Sequence, residues 1–176
     1  MRVMVAGVGN VLRRDDGFGV EVARRLAGVP LPRGTRVADY GIRGVHLAYE
    51  LMAGYDGLIL VDAMRCGGPP GTVCVLDPER PDGTRETAAV AAAPMDAHDM
   101  GPEAVLALLD RLGVRLPWVL VVGCEPAELG EGMGLSAAAS GAVEEAVRLV
   151  RQLLDERVTE VTKVTEATEK GTGHRA

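Results

Sequence analysis

The sequence predicts an α/β fold: a three-layer α/β/α sandwich around a mostly parallel twisted sheet of about five strands. Three observations predict it. Short apolar runs alternate with amphipathic stretches along the chain. Two of those runs, LILV at 58–61 and PWVLVV at 117–122, lack polar alternation. Strands buried on both faces of a parallel sheet look like that. The stretches between them place apolar residues at i, i+3 and i+4, the spacing of a helix that packs by one face.

Residues 2–6 (RVMVA) form a short β-rich run that leads into Gly7-Val8-Gly9. Residues 18–27 place Phe18, Val22 and Leu26 on one helix face, opposite Glu21, Arg24 and Arg25. Residues 35–38 predict a second strand, and 45–53 a helix stopped by Gly54. After LILV, residues 72–76 (TVCVL) predict a strand suited to a sheet edge, and 77–94 a long loop. Residues 100–112 carry Val105, Leu108, Leu109 and Leu112 at helical spacing. Residues 137–155 predict a long helix with Val143, Val147, Val150 and Leu154 inward. Residues 1–156 read as one domain, and 157–176 as a polar, low-complexity tail expected to be disordered.

The 176 residues fit a single domain. Aromatics make up only 3%, so the core must be Val, Leu, Ala and Met. A net charge of −6 argues against a nucleic-acid or anionic-membrane partner. The first apolar run is too short for a signal peptide, and no run approaches the ~20 residues of a membrane span. Cys66, Cys74 and Cys124 contain no CxxC pair. They read as small buried hydrophobes without a disulfide framework. These features together predict a cytoplasmic protein.

In parallel sheets, ligands bind at the carboxyl ends of the strands. The polar residues that follow strands are therefore the candidates. Asp15 and Asp16 follow the first strand, Asp39 ends the second, and Asp62 follows LILV. His98 precedes a helix, and Cys124 and Glu125 follow the strand ending at Val122. Carboxylates with an imidazole suit a divalent transition metal. A cation or a shared proton would relieve the repulsion within such a cluster. Bland roles compete. Asp15 or Asp16 could cap the helix at 18–27. Asp62 could hold an Asx turn, and a lone His98 could bond locally. Arg13 and Arg14 could be solvated surface. Asn10 is suited to bracing the glycine turn through its side chain.

A nucleotide reading of the glycine turn is weak. Position 12 is Leu where GxGxxG needs its third glycine, and two carboxylates have the wrong sign for phosphate. No GxSxG elbow and no HExxH helix is present.

Four segments carry a family resemblance: GVGNVLRRDDGFG, LILVDA with Asp62, AHDMG with His98, and GCEPAELGEGMGLS at 123–136. Collinear from residue 1 to about 155, they closely resemble the [NiFe]-hydrogenase maturation endopeptidases. The resemblance implies an α/β/α sandwich that removes a C-terminal extension from a hydrogenase large-subunit precursor after nickel insertion. It places the catalytic and metal-contacting residues on Asp16, Asp62 and His98, and implies no organic cofactor. The nickel would belong to the substrate. Cleavage would use it as a Lewis acid, or use Asp16 or Asp62 as general base. A non-catalytic nickel- or precursor-binding assembly factor is the alternative. Two departures stand out: Asp16, where the family often has Glu, and DYGIRG at 39–44, where some members have a Gly-Gly-Thr-type loop.

Overall fold

The computed structural model describes residues 1–78 and 102–171, with side chains described up to residue 160. The strands are β1 (Val3–Val8), β2 (Thr35–Gly41), β3 (Gly57–Ala63), β4 (Val73–Leu76) and β5 (Trp118–Cys124). They form one five-stranded sheet in the order β2-β1-β3-β5-β4. All pairs are parallel except β4 with β5. The helices are α1 (Phe18–Leu26), α2 (Gly44–Leu51), α3 (Pro102–Arg111) and α4 (Ala137–Gly171). The predicted α/β sandwich is the observed fold, with TVCVL at an edge of the sheet. The predicted loop at 77–94 falls mostly outside the described residues.

Side chains alternate across each central strand and divide the core in two. Val3, Val5, Ile59, Val61, Leu120 and Val122 pack with Phe18, Val22 and Leu26 of α1 and with α4. Met4, Ala6, Val8, Leu58, Leu60, Val119 and Val121 pack with Leu47 and Leu51 of α2 and Val105 and Leu109 of α3. Phe18, Val22 and Leu26, the face expected from spacing, are each fully buried. Each contributes roughly 1.5–3 kcal/mol by leaving water. At Gly19 a Cβ would lie 1.9 Å from the Val61 carbonyl oxygen, so only glycine lets α1 settle this close to the sheet.

The long helix departs from the sequence reading. α4 continues through Gly171, past the boundary drawn at residue 156. Among the side chains described, up to residue 160, Leu154 is the last buried one, while the helix runs on past it. Glu, Lys and Ala beyond it are good helix formers in their own right. Among the described residues, no helix is long and apolar enough to cross a membrane.

Candidate functional site

The chain leaves β1 toward β2 on one side and returns through β3 on the other. The carboxyl ends of β1 and β3 therefore flank a topological switch point, where α/β sheets open a crevice. Asp16 lies in a 3-10 turn (Arg14–Gly17) directly after β1, and Asp62 at the end of β3. Gly9 separates them. A Cβ there would lie 1.8 Å from the Asp16 carbonyl oxygen and 3.2 Å from Asp62 Oδ1. With φ at 117°, Gly9 adopts a backbone that side chains disfavour.

The Asn10 N–H donates to Asp16 Oδ2 at 2.8 Å. A phosphate-cradling loop would aim such an amide at its ligand; here it serves a carboxylate. The Asn10 side chain accepts from the Leu12 N–H at 2.9 Å, as its turn-bracing role requires. Asp62 is 3% exposed, and its Oδ1 accepts from the Ala63 N–H at 2.8 Å. Asp39 sits one strand out, in β2, where it pairs with Arg24 at 3.3 Å. His98 lies outside the described residues. Among those residues, no group of three or more His, Cys, Asp or Glu could hold a metal ion.

The two adjacent aspartates divide their labour, and neither caps a helix with its side chain. Asp15 is fully buried. Its Oδ2 accepts from the Ala127 N–H at 2.8 Å, the Glu128 N–H at 3.0 Å and the Ser136 hydroxyl at 2.9 Å. Its Oδ1 accepts from the Ser136 N–H at 2.6 Å. Burial opposes the charged form, but these bonds from Ser136, Glu128 and Ala127 outweigh it and hold the carboxyl below its usual 3.8. Ser136 in turn caps α4, accepting from the Ala139 N–H at 3.2 Å. The clasp continues along the backbone, from the Arg14 N–H to the Gly132 carbonyl and from the Gly132 N–H to the Leu12 carbonyl, both at 2.9 Å. Arg14 takes a left-handed φ of 52°, and its guanidinium lies against Gly132 and 3.9 Å from Glu128. It is half-exposed, so the solvated reading of this arginine holds only in part.

A further correction concerns the cysteines. Cys66 and Cys74 form a disulfide with their Cα atoms 5.8 Å apart. The residues between them, GGPPGTV, include Gly67 and Gly71 at positive φ (78° and 88°). Such a turn folds the chain back far enough for the bond. The same turn binds Glu125, whose Oε2 accepts from the Cys66 N–H and, at 3.0 Å, from the Gly67 N–H. Only Cys124 behaves as the small buried hydrophobe expected of all three; burial pushes its thiol up to about 11. That leaves it a poor nucleophile near neutral pH.

Fold and site together define an α/β/α protein with an acidic switch point, chemistry that suits a cation or proton transfer and repels phosphate. Comparison with known proteins agrees on the fold and names a family. The family model for hydrogenase maturation protease, HycI, matches residues 20–153. The hydrogenase expression/formation protein HupD of Rhodobacter capsulatus is 35% identical over 157 residues, covering 85% of this chain and 71% of the relative. A putative hydrogenase maturation protease of Methanocaldococcus jannaschii is 32% identical, covering 84% of this chain and 93% of the relative. Among solved structures, the hydrogenase maturating endopeptidase HybD of E. coli superposes with a TM-score of 0.71 at 30% identity, covering 89% of this chain and 94% of that one. The chain belongs to the hydrogenase maturation protease family. It is thus an enzyme of hydrogenase maturation, a protease.

Proposed function

We propose that this protein cleaves a C-terminal extension from the large-subunit precursor of a [NiFe]-hydrogenase once nickel has been inserted. Nickel arrives on the precursor's cysteines, and Asp16, Asp62 and His98 contact it. One observation carries this reading: Asp16 and Asp62 flank Gly9 at the β1/β3 switch point. Two carboxylates and an imidazole supply hard and borderline donors to a divalent ion. They leave room for the ligands the ion brings, so the protease tests whether the metal is in place.

The substrate-borne ion polarises the scissile carbonyl or its attacking water. The rest falls to this chain. Asp16 and Asp62 fix the ion's position, and a carboxylate oxygen takes the proton from water. As the C–N bond breaks, that proton passes to the leaving amine. The Asn10 N–H keeps one Asp16 oxygen oriented while the other faces the substrate. Asp16 is one methylene shorter than the glutamate common in the family, so the ion would have to sit closer to the backbone or shift.

The test is the intact mass of a nickel-loaded precursor before and after incubation, beside a nickel-free control. A discrete C-terminal loss confined to the loaded sample is expected, and His98→Ala abolishes it. Loss in both samples removes the nickel requirement. A precursor that binds but keeps its mass overturns the protease reading in favour of an assembly factor.

A further inference from the structure

The geometry points to a second chemical site, a thiol–disulfide exchange site at Cys66 and Cys74 whose redox state controls how firmly the Asp62 edge is held. Its functional consequence rests on the protease reading above; its structural consequence does not.

The register places the pair beside the site. Cys74 of β4 is paired with Gly123 of β5, and Gly123 with Asp62 of β3. Residues paired in register share a face of the sheet. Asp62, Gly123 and Cys74 thus form one row across three strands. Gly123 has no side chain, and the space above it is filled by its neighbours. A Cβ there would lie 3.1 Å from Cys74 Sγ and 2.6 Å from Met64 Sδ. The disulfide and Met64 therefore wall the Asp62 side of the crevice.

The backbone carries the same connection. Cys66 follows Asp62 by four residues, and the Cys66 and Gly67 amides hold the Glu125 carboxylate. The Gly71 N–H donates to the Glu125 carbonyl, the Glu125 N–H to the Thr72 carbonyl, and the Met64 N–H to the Cys124 carbonyl. Two residues past Glu125, the Ala127 N–H binds Asp15, the neighbour of Asp16. A single staple across the 66–74 turn thus braces the segments leading to both site carboxylates. Cys66 and Cys74 are half-buried, within reach of a small reductant, while Cys124 is sealed in the core.

The exchange partner is a dithiol. Its thiolate attacks one sulfur of the pair, forming a mixed disulfide and expelling the other cysteine as thiolate. The dithiol's second thiol then attacks its own bonded sulfur and releases the first cysteine. Two electrons and two protons pass to Cys66 and Cys74, and the dithiol leaves as a disulfide. Reduction frees the turn, loosens the grip on Glu125 and lets the Asp62 edge drift. A catalytic group displaced by about 1 Å costs on the order of 10²-fold in rate; the partial loosening here corresponds to roughly tenfold.

The experiment prepares oxidised and dithiothreitol-reduced protein, each assigned by alkylating free thiols and measuring intact mass. With the alkylation done after unfolding in denaturant, so that buried Cys124 is reached, oxidised protein takes one adduct, at Cys124, and reduced protein takes three. Two readouts follow. Amide hydrogen exchange at Cys66, Gly67 and Glu125 is expected to quicken at least tenfold on reduction, and precursor processing to slow by roughly tenfold. The Cys66→Ser/Cys74→Ser double variant behaves as the reduced form and ignores dithiothreitol. Glu125→Ala keeps the disulfide but shows reduced-like exchange at Cys66 and Gly67. Three adducts on protein treated with oxidant overturn the proposal. So does exchange that is unchanged between the two verified redox states. If exchange responds but neither form cleaves a nickel-loaded precursor, the site stands and the protease reading falls. If exchange responds and both forms cleave equally fast, control of catalysis falls.

Discussion

Asp15→Asn tests the clasp that holds the candidate site together. The change keeps shape and volume but removes the charge and turns one acceptor oxygen into a donor. Asp15 now accepts four hydrogen bonds. If the amide oxygen of Asn faces Ala127 and Glu128, its NH₂ meets the Ser136 N–H, donor against donor. Hydrogen bonds to a charged group are worth roughly 1.5–3 kcal/mol each, and a buried donor left unpaired costs about 1–3 kcal/mol. Rearrangement of the Ser136 hydroxyl recovers part of the loss, leaving about 3 kcal/mol. With a urea dependence of about 1.5 kcal/mol per molar, the unfolding midpoint falls by roughly 2 M. Circular dichroism in a urea series reads this directly. The pH dependence supplies a second check. The folded Asp15 carboxyl is depressed below 3.8, so its stabilisation is complete above the unfolded value and is lost as pH falls through the folded one. The wild type therefore loses stability steeply below about pH 4, and Asp15→Asn loses less. A variant midpoint within about 0.3 M of wild type, at unchanged slope, would refute the clasp.

Three further outcomes are expected. Asp16→Asn leaves the urea midpoint close to wild type, because among the described residues the Asp16 side chain accepts only from the Asn10 amide, yet lowers processing at least tenfold; full activity would return this residue to a structural role. Gly9→Ala adds about 1–3 kcal/mol of backbone strain to a clash with the Asp16 carbonyl, so both melting temperature and processing fall. Phe18→Ala empties the largest fully buried side chain and costs roughly 3–5 kcal/mol, read as a lower melting temperature in calorimetry.

What could be read from the sequence, and what could not, follows the range of each interaction. β3 and β5 were legible because burial on both faces leaves uninterrupted apolar runs. The buried face of α1 was legible because Phe18, Val22 and Leu26 recur at the helical period. Asp62 was legible as the polar residue ending an apolar strand. The division between Asp15 and Asp16 was not legible. Two adjacent aspartates before a helix look alike until one meets partners 112 to 121 residues away. Ser136 carried a usable local signal, a serine directly before an alanine-rich helix, and was missed. Pairing Cys66 with Cys74 needed the turn geometry, since an odd cysteine count without CxxC argues against bonding. The tail's polarity was read as the end of the helix, yet α4 runs through Gly171. His98 rests on the family resemblance and on its place upstream of α3.

The Asp15 clasp also has a consequence for the order in which the protein comes into being. Asp15 emerges early in synthesis, yet the Ser136 groups it binds follow 121 residues later. Contacts this distant in sequence are closed late, after the intervening chain has paid its loop-closure entropy. A nascent chain can form β1 and α1, but it holds a bare, buried-in-waiting carboxylate until residues 127–136 leave the ribosome. The edge that carries Asp16 is therefore completed only when the protease domain is nearly whole. A chain interrupted before Ser136 has Asp16 and Asp62 but no clasp, and so carries no preformed candidate site.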